Sequence, residues 1–242
     1  MLTALHRPRK AGEILDAAFQ LYRRLFVPVA LATGVFMLPA LLLDLVVAVE
    51  DLPYVELLVN FSRVLGTAAV VRLGSDGYLG RPADGMAAVR HALSRFFSVL
   101  GASIVQGLMI IIGLLMFVVP GVIFAAWTFA MTPAVMLEGR PVGEAFTRSR
   151  ELARDHLGHI IATGVIVLIL GILVQQMLVS VIDDTLHLPF RAGFLIAHLM
   201  NVVINPFPAL VTTVLYYDLR IRKEAFDVQL MAESLDDESA QA

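Results

Sequence analysis

The sequence predicts an all-α, polytopic integral membrane protein: a bundle of six transmembrane helices in three repeats, each an amphipathic helix followed by a hairpin. Three observations predict this fold class: an apolar composition, long runs without charge and a basic segment that occurs three times. Of the 242 residues, 58% are hydrophobic and 16% are charged, and the mean hydropathy is +0.80. These values lie outside the usual range of soluble globular proteins.

Five spans fall in runs that contain no Asp, Glu, Lys or Arg. The runs are residues 25–43, 96–137, 156–182 and 192–217. A helix needs about 20 apolar residues to cross the hydrocarbon core, so the longest run holds two spans and each of the others holds one. Pro120-Gly121 predicts the reversal between the two spans of the longest run.

The remaining span, residues 54–73, is the second in chain order. It is the least apolar, because Glu56, Asn60, Arg63 and Arg72 interrupt it. Six crossings place four basic segments on one side of the membrane, namely 1–24, 72–95, 138–157 and 218–242. These segments carry 16 of the 18 Lys and Arg residues. The positive-inside rule then places both termini in the cytoplasm.

A cleavable secretory signal is not expected, because the first strongly apolar run begins only after Arg24. The chain contains no cysteine, so disulfides and thiolate metal sites are excluded.

The repeats begin at three similar segments: His6-Arg7-Pro8, Gly80-Arg81-Pro82 and Gly139-Arg140-Pro141. Each precedes a stretch of mixed charge and then an apolar run, which divides residues 1–232 into units 6–79, 80–138 and 139–217 and a cytoplasmic C-terminal helix, 218–232. These units form a single membrane domain. Residues 233–242 are acidic and small and predict a disordered tail.

The amphipathic segments suit the headgroup layer, where arginine reaches lipid phosphates. The alternative is that these helices only orient the spans. The candidate lipid-headgroup contacts are Arg90, Arg148, Arg150, Arg220, Arg222 and Lys223.

A second set of polar residues lies at membrane depth, where charge is costly. Arg63 falls near the middle of the second span, and Asp44 lies near the outer end of the first. On the last span His198, Asn201 and Asn205 share one helix face. This intramembrane site is either a network that locks the bundle or the lining of a cargo or proton path. The prolines that follow, Pro206 and Pro208, free backbone groups that neighbours or water must satisfy.

Small residues at every fourth position predict close helix packing. They are Ala126, Ala130 and Ala134 on one span and Ser103 and Gly107 on another.

No catalytic, cofactor or metal site is predicted. Glu151, Asp155 and His159 share a helix face, but their spacing matches no zinc motif. A nucleophile elbow and a Walker loop are both absent from the sequence. We therefore expect no enzymatic activity, no cofactor and no nucleic-acid partner.

Several segments together resemble a known bacterial family. They are Pro120-Gly121, Leu137-Glu138-Gly139, the stretch 145–150 and, most specifically, Tyr216-Tyr-Asp-Leu-Arg220-Ile-Arg222-Lys-Glu224. The chain resembles, over most of residues 10–232, the membrane domain named after glycerophosphodiester phosphodiesterases. In that family a separate soluble barrel performs catalysis with His, Glu and Asp around a divalent metal. These 242 residues hold no such barrel, so the resemblance implies a membrane module of the bacterial inner membrane and no catalytic residue.

Three function classes remain. The first is a non-catalytic membrane module that organises lipid or works with a membrane-associated partner protein. The second is a small transporter for a polar or amphipathic solute that uses the polar face at residues 198–205. An intramembrane enzyme is third, because no acid, base and nucleophile converge in the sequence.

The first prediction concerns topology. Single cysteines at positions 5, 83, 142 and 235 should be shielded from an impermeant thiol reagent in intact cells, and cysteines at 51 and 185 should react. The chain has no cysteine of its own, so each labelling result reports one site. Labelling of position 83 in intact cells would contradict the six-span arrangement.

Overall fold

The computed structural model describes residues 9–47, 53–181 and 190–224. Over these ranges the chain is almost entirely helical and contains no strand, which confirms the all-α prediction. The eleven helices in the described ranges are α1 (Ala11–Arg24), α2 (Phe26–Val47), α3 (Pro53–Tyr78), α4 (Gly85–Ser94), α5 (Phe96–Met116), α6 (Val118–Thr128), α7 (Met131–Leu137), α8 (Val142–Ala153), α9 (Leu157–Ser180), α10 (Phe190–Ile204) and α11 (Pro206–Glu224).

Six segments of the described chain are long and apolar enough to cross a membrane. They are Phe26–Leu43, Leu57–Tyr78, Phe96–Met116, Val118–Leu137, Leu157–Ser180 and Leu199–Glu224. The number agrees with the prediction from the sequence. The fourth segment consists of α6 and α7, and the sixth combines the end of α10 with α11.

The three short helices α1, α4 and α8 are amphipathic because their apolar residues recur at helical spacing. Helix α1 buries Ile14, Ala18 and Leu21 on one face. The carboxylate of Glu13 accepts a hydrogen bond from the N–H of Lys10 at 2.9 Å and so satisfies a donor at the start of the helix. At the start of helix α4, the carboxylate of Asp84 accepts hydrogen bonds from the N–H groups of Met86 and Ala87.

The buried faces of these short helices pack on the bundle itself. Helix α1 lies against α11 and α9, α4 lies against α3 and α2, and α8 lies against α7 and α6. The sequence suggested a surface position in the headgroup layer, and the structure adds that the apolar side of each helix covers other helices. Exposed aromatic side chains remain beside them, such as Phe19 and Phe97.

Helix α11 is a deeply buried element of the described bundle. It packs on α3 and α1 and buries a continuous row that includes Leu210, Val214 and Leu219. It also continues without a break through Asp218, whose side chain is only 1% exposed. The expected boundary at residue 218 therefore lies inside a buried helix. The remainder of the predicted 218–232 helix and the tail 233–242 lie outside the described residues.

The four basic segments meet at one end of the bundle. The Arg9 guanidinium donates to the Tyr78 hydroxyl at 3.4 Å, the Arg95 guanidinium donates to the Gly139 carbonyl at 3.1 Å, and the ammonium of Lys223 lies 2.7 Å from the Asp155 carboxylate. If two spans separate each basic segment from the next, all four segments must lie at the same end of the bundle. The structure agrees with this grouping, and the side of the membrane on which that end lies stays a prediction.

The small residues behave in two ways. Ala126, Ala130 and Ala134 are at most 4% exposed, as close packing requires. Gly107 differs, because a Cβ placed there would meet no atom within 4 Å. The packing role expected for Gly107 is therefore wrong.

A different glycine pair closes the hairpin of α5 and α6. The chain reverses at Phe117, three residues before the predicted Pro120-Gly121, through one residue of extended backbone. A Cβ at Gly113 would lie 2.7 Å from the Cα of Gly121. The two helices approach this closely only because both positions lack a side chain.

These contacts predict opposite effects for two glycines of α5. Gly113→Ala should lower the free energy of unfolding by about 1–3 kcal/mol, because the added methyl group meets backbone that cannot move aside. Gly107→Ala is the matched control and should be neutral or slightly stabilising, since alanine favours helix. Thermal unfolding in detergent measures both. A loss of stability in Gly107→Ala equal to that in Gly113→Ala would contradict the packing assigned here.

Candidate functional site

The structure brings three of the predicted intramembrane residues together. Arg63 on α3 and Asn201 and Asn205 on α10 line one open cleft of about 280 Å³. Thr33 of α2 and Thr67 of α3 add hydroxyl groups to it. The side chains of the other two predicted members, Asp44 and His198, lie outside the described residues, so the proposed pairing of Asp44 with Arg63 stays a prediction.

The cleft forms where the last span is interrupted. Pro206 has no N–H, so the carbonyl of Val202 loses its helical donor. The hydroxyl of Thr33 donates to that carbonyl at 3.3 Å, and the hydroxyl of Tyr22 donates to the next one, at Val203, at 2.6 Å. Neighbouring hydroxyl groups therefore reach two carbonyls at this interruption, although the Thr33 hydroxyl lies closer to the Val29 carbonyl of its own helix, at 2.8 Å.

The two asparagines hold each other. The side-chain amide of Asn205 donates to the side-chain oxygen of Asn201 at 3.1 Å, and the Asn205 N–H donates to the Asn201 carbonyl at the same distance. These two hydrogen bonds stabilise the end of α10 beside the cleft.

Arg63 occupies the edge of this cleft. Its side chain is exposed, and it forms no hydrogen bond or ion pair with any group that the structure describes. The cleft therefore contains the Thr33 hydroxyl, the hydrogen-bonded side chains of Asn201 and Asn205, and the guanidinium of Arg63.

A second polar site lies at the end of the bundle where the basic segments meet, and we call it the end network. Its centre is Arg148 on α8, which binds the Glu138 carboxylate at 2.9 Å and also pairs with Glu224 of α11. The hydroxyl of Tyr216 donates to Glu138, and Arg220 binds Glu224 at 3.0 Å. The network joins the segment after α7 to α8 and α11.

The charges of the end network stabilise one another. Burial alone would raise the pKa of the Glu138 carboxyl, but hydrogen bonds from Tyr216, Arg140 and Arg148 outweigh it and hold that pKa below its ordinary value. Burial alone would likewise lower the pKa of Arg148, and its two carboxylate partners raise it instead. Both groups are therefore ionised at neutral pH.

Asp218 anchors a neighbouring part of the same end. Its carboxylate accepts the Arg9 N–H at 2.7 Å and the Arg222 guanidinium at 2.7 Å, and Nε2 of His159 lies 3.5 Å away. The Arg222 guanidinium also donates to the Arg9 carbonyl at 2.7 Å. Helix α1 is thereby attached to α11 at its first residues.

Four of the predicted headgroup contacts have partners within the protein. The guanidinium groups of Arg148, Arg220 and Arg222 bind protein carboxylates, and Lys223 binds Asp155 and the Glu151 carbonyl. The physical reason is that carboxylates removed from water, such as that of Asp218, need a cation close by. Contact of these four side chains with lipid phosphates stays a prediction.

The other two candidate headgroup contacts lie on the surface. Arg90 of α4 is exposed, and Arg150 of α8 is exposed with its guanidinium 4.9 Å from the centre of the Trp127 ring. Contact with lipid phosphate at these two positions stays a prediction.

Sequence reasoning missed Glu138 and Tyr216 as members of a site. A partial signal was present, since Asp218–Arg222 and Arg220–Glu224 stand four residues apart, the spacing of ion pairs on one helix face. Among the described residues, no group of three His, Cys, Asp or Glu has an arrangement that could hold a metal ion. Asp155 pairs with Lys223, and His159 faces Asp218.

Comparison of the chain with models of known protein families, with curated proteins and with solved structures finds no significant match.

Removal of the central cation should destabilise the bundle. Arg148→Gln leaves Glu138 and Glu224 without their shared partner, and we expect a loss of about 3 kcal/mol, the lower end for buried pairs because both carboxylates keep some exposure. Arg154→Gln is the control, because Arg154 is exposed and lies at the end of the same helix. Thermal unfolding of both purified variants should show a lowered midpoint for Arg148→Gln alone. Equal midpoints would remove the end network as a source of stability.

Proposed function

We propose that this chain is a non-catalytic, multi-pass protein of the bacterial cytoplasmic membrane that organises lipid or works with a membrane-associated partner enzyme. Its six apolar segments would each cross the bilayer, and both termini would lie in the cytoplasm. The end network would then stand at the cytoplasmic surface, where 16 of the 18 basic residues gather.

The observation that carries this proposal is the bare apolar surface of α5 and α9. Only three of the 21 residues of α5 and two of the 24 residues of α9 are buried, although both helices are strongly apolar. Side chains such as Leu115, Leu168 and Leu173 are more than 60% exposed. Apolar surfaces this extensive mark contact with lipid or with another protein.

The division into three units also belongs to the proposal. The glycines of two Gly-Arg-Pro segments, Gly80 and Gly139, adopt positive φ of 73° and 69°, so both segments make a similar turn before an amphipathic helix. The units would be α1–α3, α4–α7 and α8–α11.

The resemblance to the phosphodiesterase-associated membrane domain belongs to the proposal as well. Segments that carry it lie apart in the sequence yet contact each other in the end network, since Glu138 and Arg148 meet Tyr216 and Glu224. A motif of this kind would preserve a junction between helices, which suits a module whose partner supplies the chemistry.

A small transporter is the second candidate function, and the cleft at Arg63 favours it. A polar cleft between α3 and α10 could hold a polar solute during passage. The module is preferred because the hydrogen bonds of this cleft, from Thr33 and between Asn201 and Asn205, hold the interrupted span together.

One substitution separates the two functions. In the module, Asn205→Leu should lower the free energy of unfolding by about 1–3 kcal/mol, because the Asn201 oxygen loses its donor. In a transporter, the same variant should stay folded and lose uptake. Gln106→Leu on α5 is the control, since Gln106 forms no hydrogen bond with the described residues and should tolerate leucine.

The measurement pairs thermal stability in detergent with the phenotype of a deletion strain that carries each variant. Loss of the phenotype in step with loss of folding supports the module. A folded Asn205→Leu protein that no longer takes up solute would establish transport instead.

A further inference from the structure

A polar groove on the outside of the bundle has no partner within the described chain. On α3, Asn60, Arg63 and Thr67 stand at positions i, i+3 and i+7, and all three are exposed. Asn205 on α10 lines the cleft on the other side of Arg63. This groove runs along a segment that is otherwise apolar enough to span a membrane.

The position of the groove gives its depth. Arg63 comes six residues after Leu57, where the candidate span begins, and six residues of helix rise about 9 Å. Arginine at this depth can extend its side chain toward the membrane surface, and a phosphate of the nearer leaflet can approach it from the lipid side.

Arg63 differs from the other arginines of the six apolar segments in the described chain. Arg72 binds Asp76 at 3.0 Å, and Arg220 and Arg222 bind carboxylates of their own helix. Arg63 makes no ion pair with any described residue. An anion from a lipid would supply a counter-charge to this cation in its apolar setting.

We propose that this groove binds the phosphate group of an anionic membrane lipid, with Arg63 as the main ligand. The planar guanidinium can donate two parallel N–H bonds to two phosphate oxygens. The hydroxyl of Thr67 and the second amide hydrogen of Asn205 are donors on either side of it. Met37 and Val70 form a buried apolar floor of the cleft.

This inference rests on the proposed role in lipid organisation and assigns it to one site. A lipid is favoured over a solute from the aqueous phase because the groove opens on the lateral surface of the bundle, along the exposed side of α3. The same phosphate chemistry also occurs in free anions, so the test must separate the two sources.

The test uses the purified full chain in a neutral maltoside detergent. Phosphatidylglycerol is titrated while the unfolding temperature is recorded, and parallel titrations use glycerol phosphate and inorganic phosphate, which lack acyl chains. Arg63→Gln should weaken the apparent affinity for phosphatidylglycerol about tenfold, the size expected for loss of a charge-assisted contact. Thr67→Val should weaken it less.

The matched control is Arg154→Gln, an exposed arginine at the end of the amphipathic helix α8. Its affinity should change less than twofold, because it lies outside the groove. Stabilisation by phosphatidylglycerol alone, lost in Arg63→Gln, identifies a lipid site. Equal stabilisation by inorganic phosphate, also lost in Arg63→Gln, supports the phosphate site but assigns it to a free anion.

Unchanged affinity in folded Arg63→Gln, or equal losses in Arg63→Gln and Arg154→Gln, overturns the proposal. If Arg63→Gln fails to fold, Thr67→Val decides in its place, and unchanged affinity in that variant overturns the proposal. None of these outcomes alters the topology or the Asn205→Leu result, so failure of this site leaves the proposed function to be judged separately.

Discussion

Arg148 lies between the carboxylates of Glu138 and Glu224, and this pairing determines how the end of the bundle is built. A predominantly apolar chain has few charges, and those that fold inward must neutralise each other. The chain meets this requirement with residues from three places in the sequence. The helices that carry them are consequently held in one arrangement.

The same constraint applies to Asp218. Its carboxylate is removed from solvent and accepts bonds from the backbone of Arg9 and the side chain of Arg222. The acidic residue thus connects the first helix of the described chain with the last. At the interruption of the last span, Pro206 leaves the carbonyl of Val202 without its helical donor. The hydroxyl of Thr33 donates to this carbonyl, and the hydroxyl of Tyr22 donates to the next one, at Val203.

Much of the fold could be predicted from the sequence, because each span is marked by local composition. The runs without charge located the apolar helices, and Pro206 marked the break in the last one. The burial of Asp218 could not be predicted, because its partners come from other parts of the chain, and the membrane boundary expected there stays a prediction. Contacts between residues as distant as Arg9 and Asp218 depend on how the helices are arranged, and local composition does not contain that information.

The candidate site was predicted in part for the same reason. Asn201 and Asn205 share a helix face by simple periodicity, and the structure places them beside Arg63. Glu138 and Tyr216 lie in segments that carry the family resemblance, but neither has a local context that marks it as a member of a site. Their importance arises from a contact between residues that lie 78 positions apart in the sequence.

The burial of α11 has a consequence for biosynthesis. This helix is the last described element to be translated, yet it packs on α1 and α3, which are made first. The faces of α1 and α3 that receive α11 must therefore wait uncovered until α11 has been made. Loop closure over such a separation is slow, and the incomplete bundle offers apolar and polar surface to other molecules meanwhile. Synthesis of α11 and completion of the core are thus coupled events in this protein.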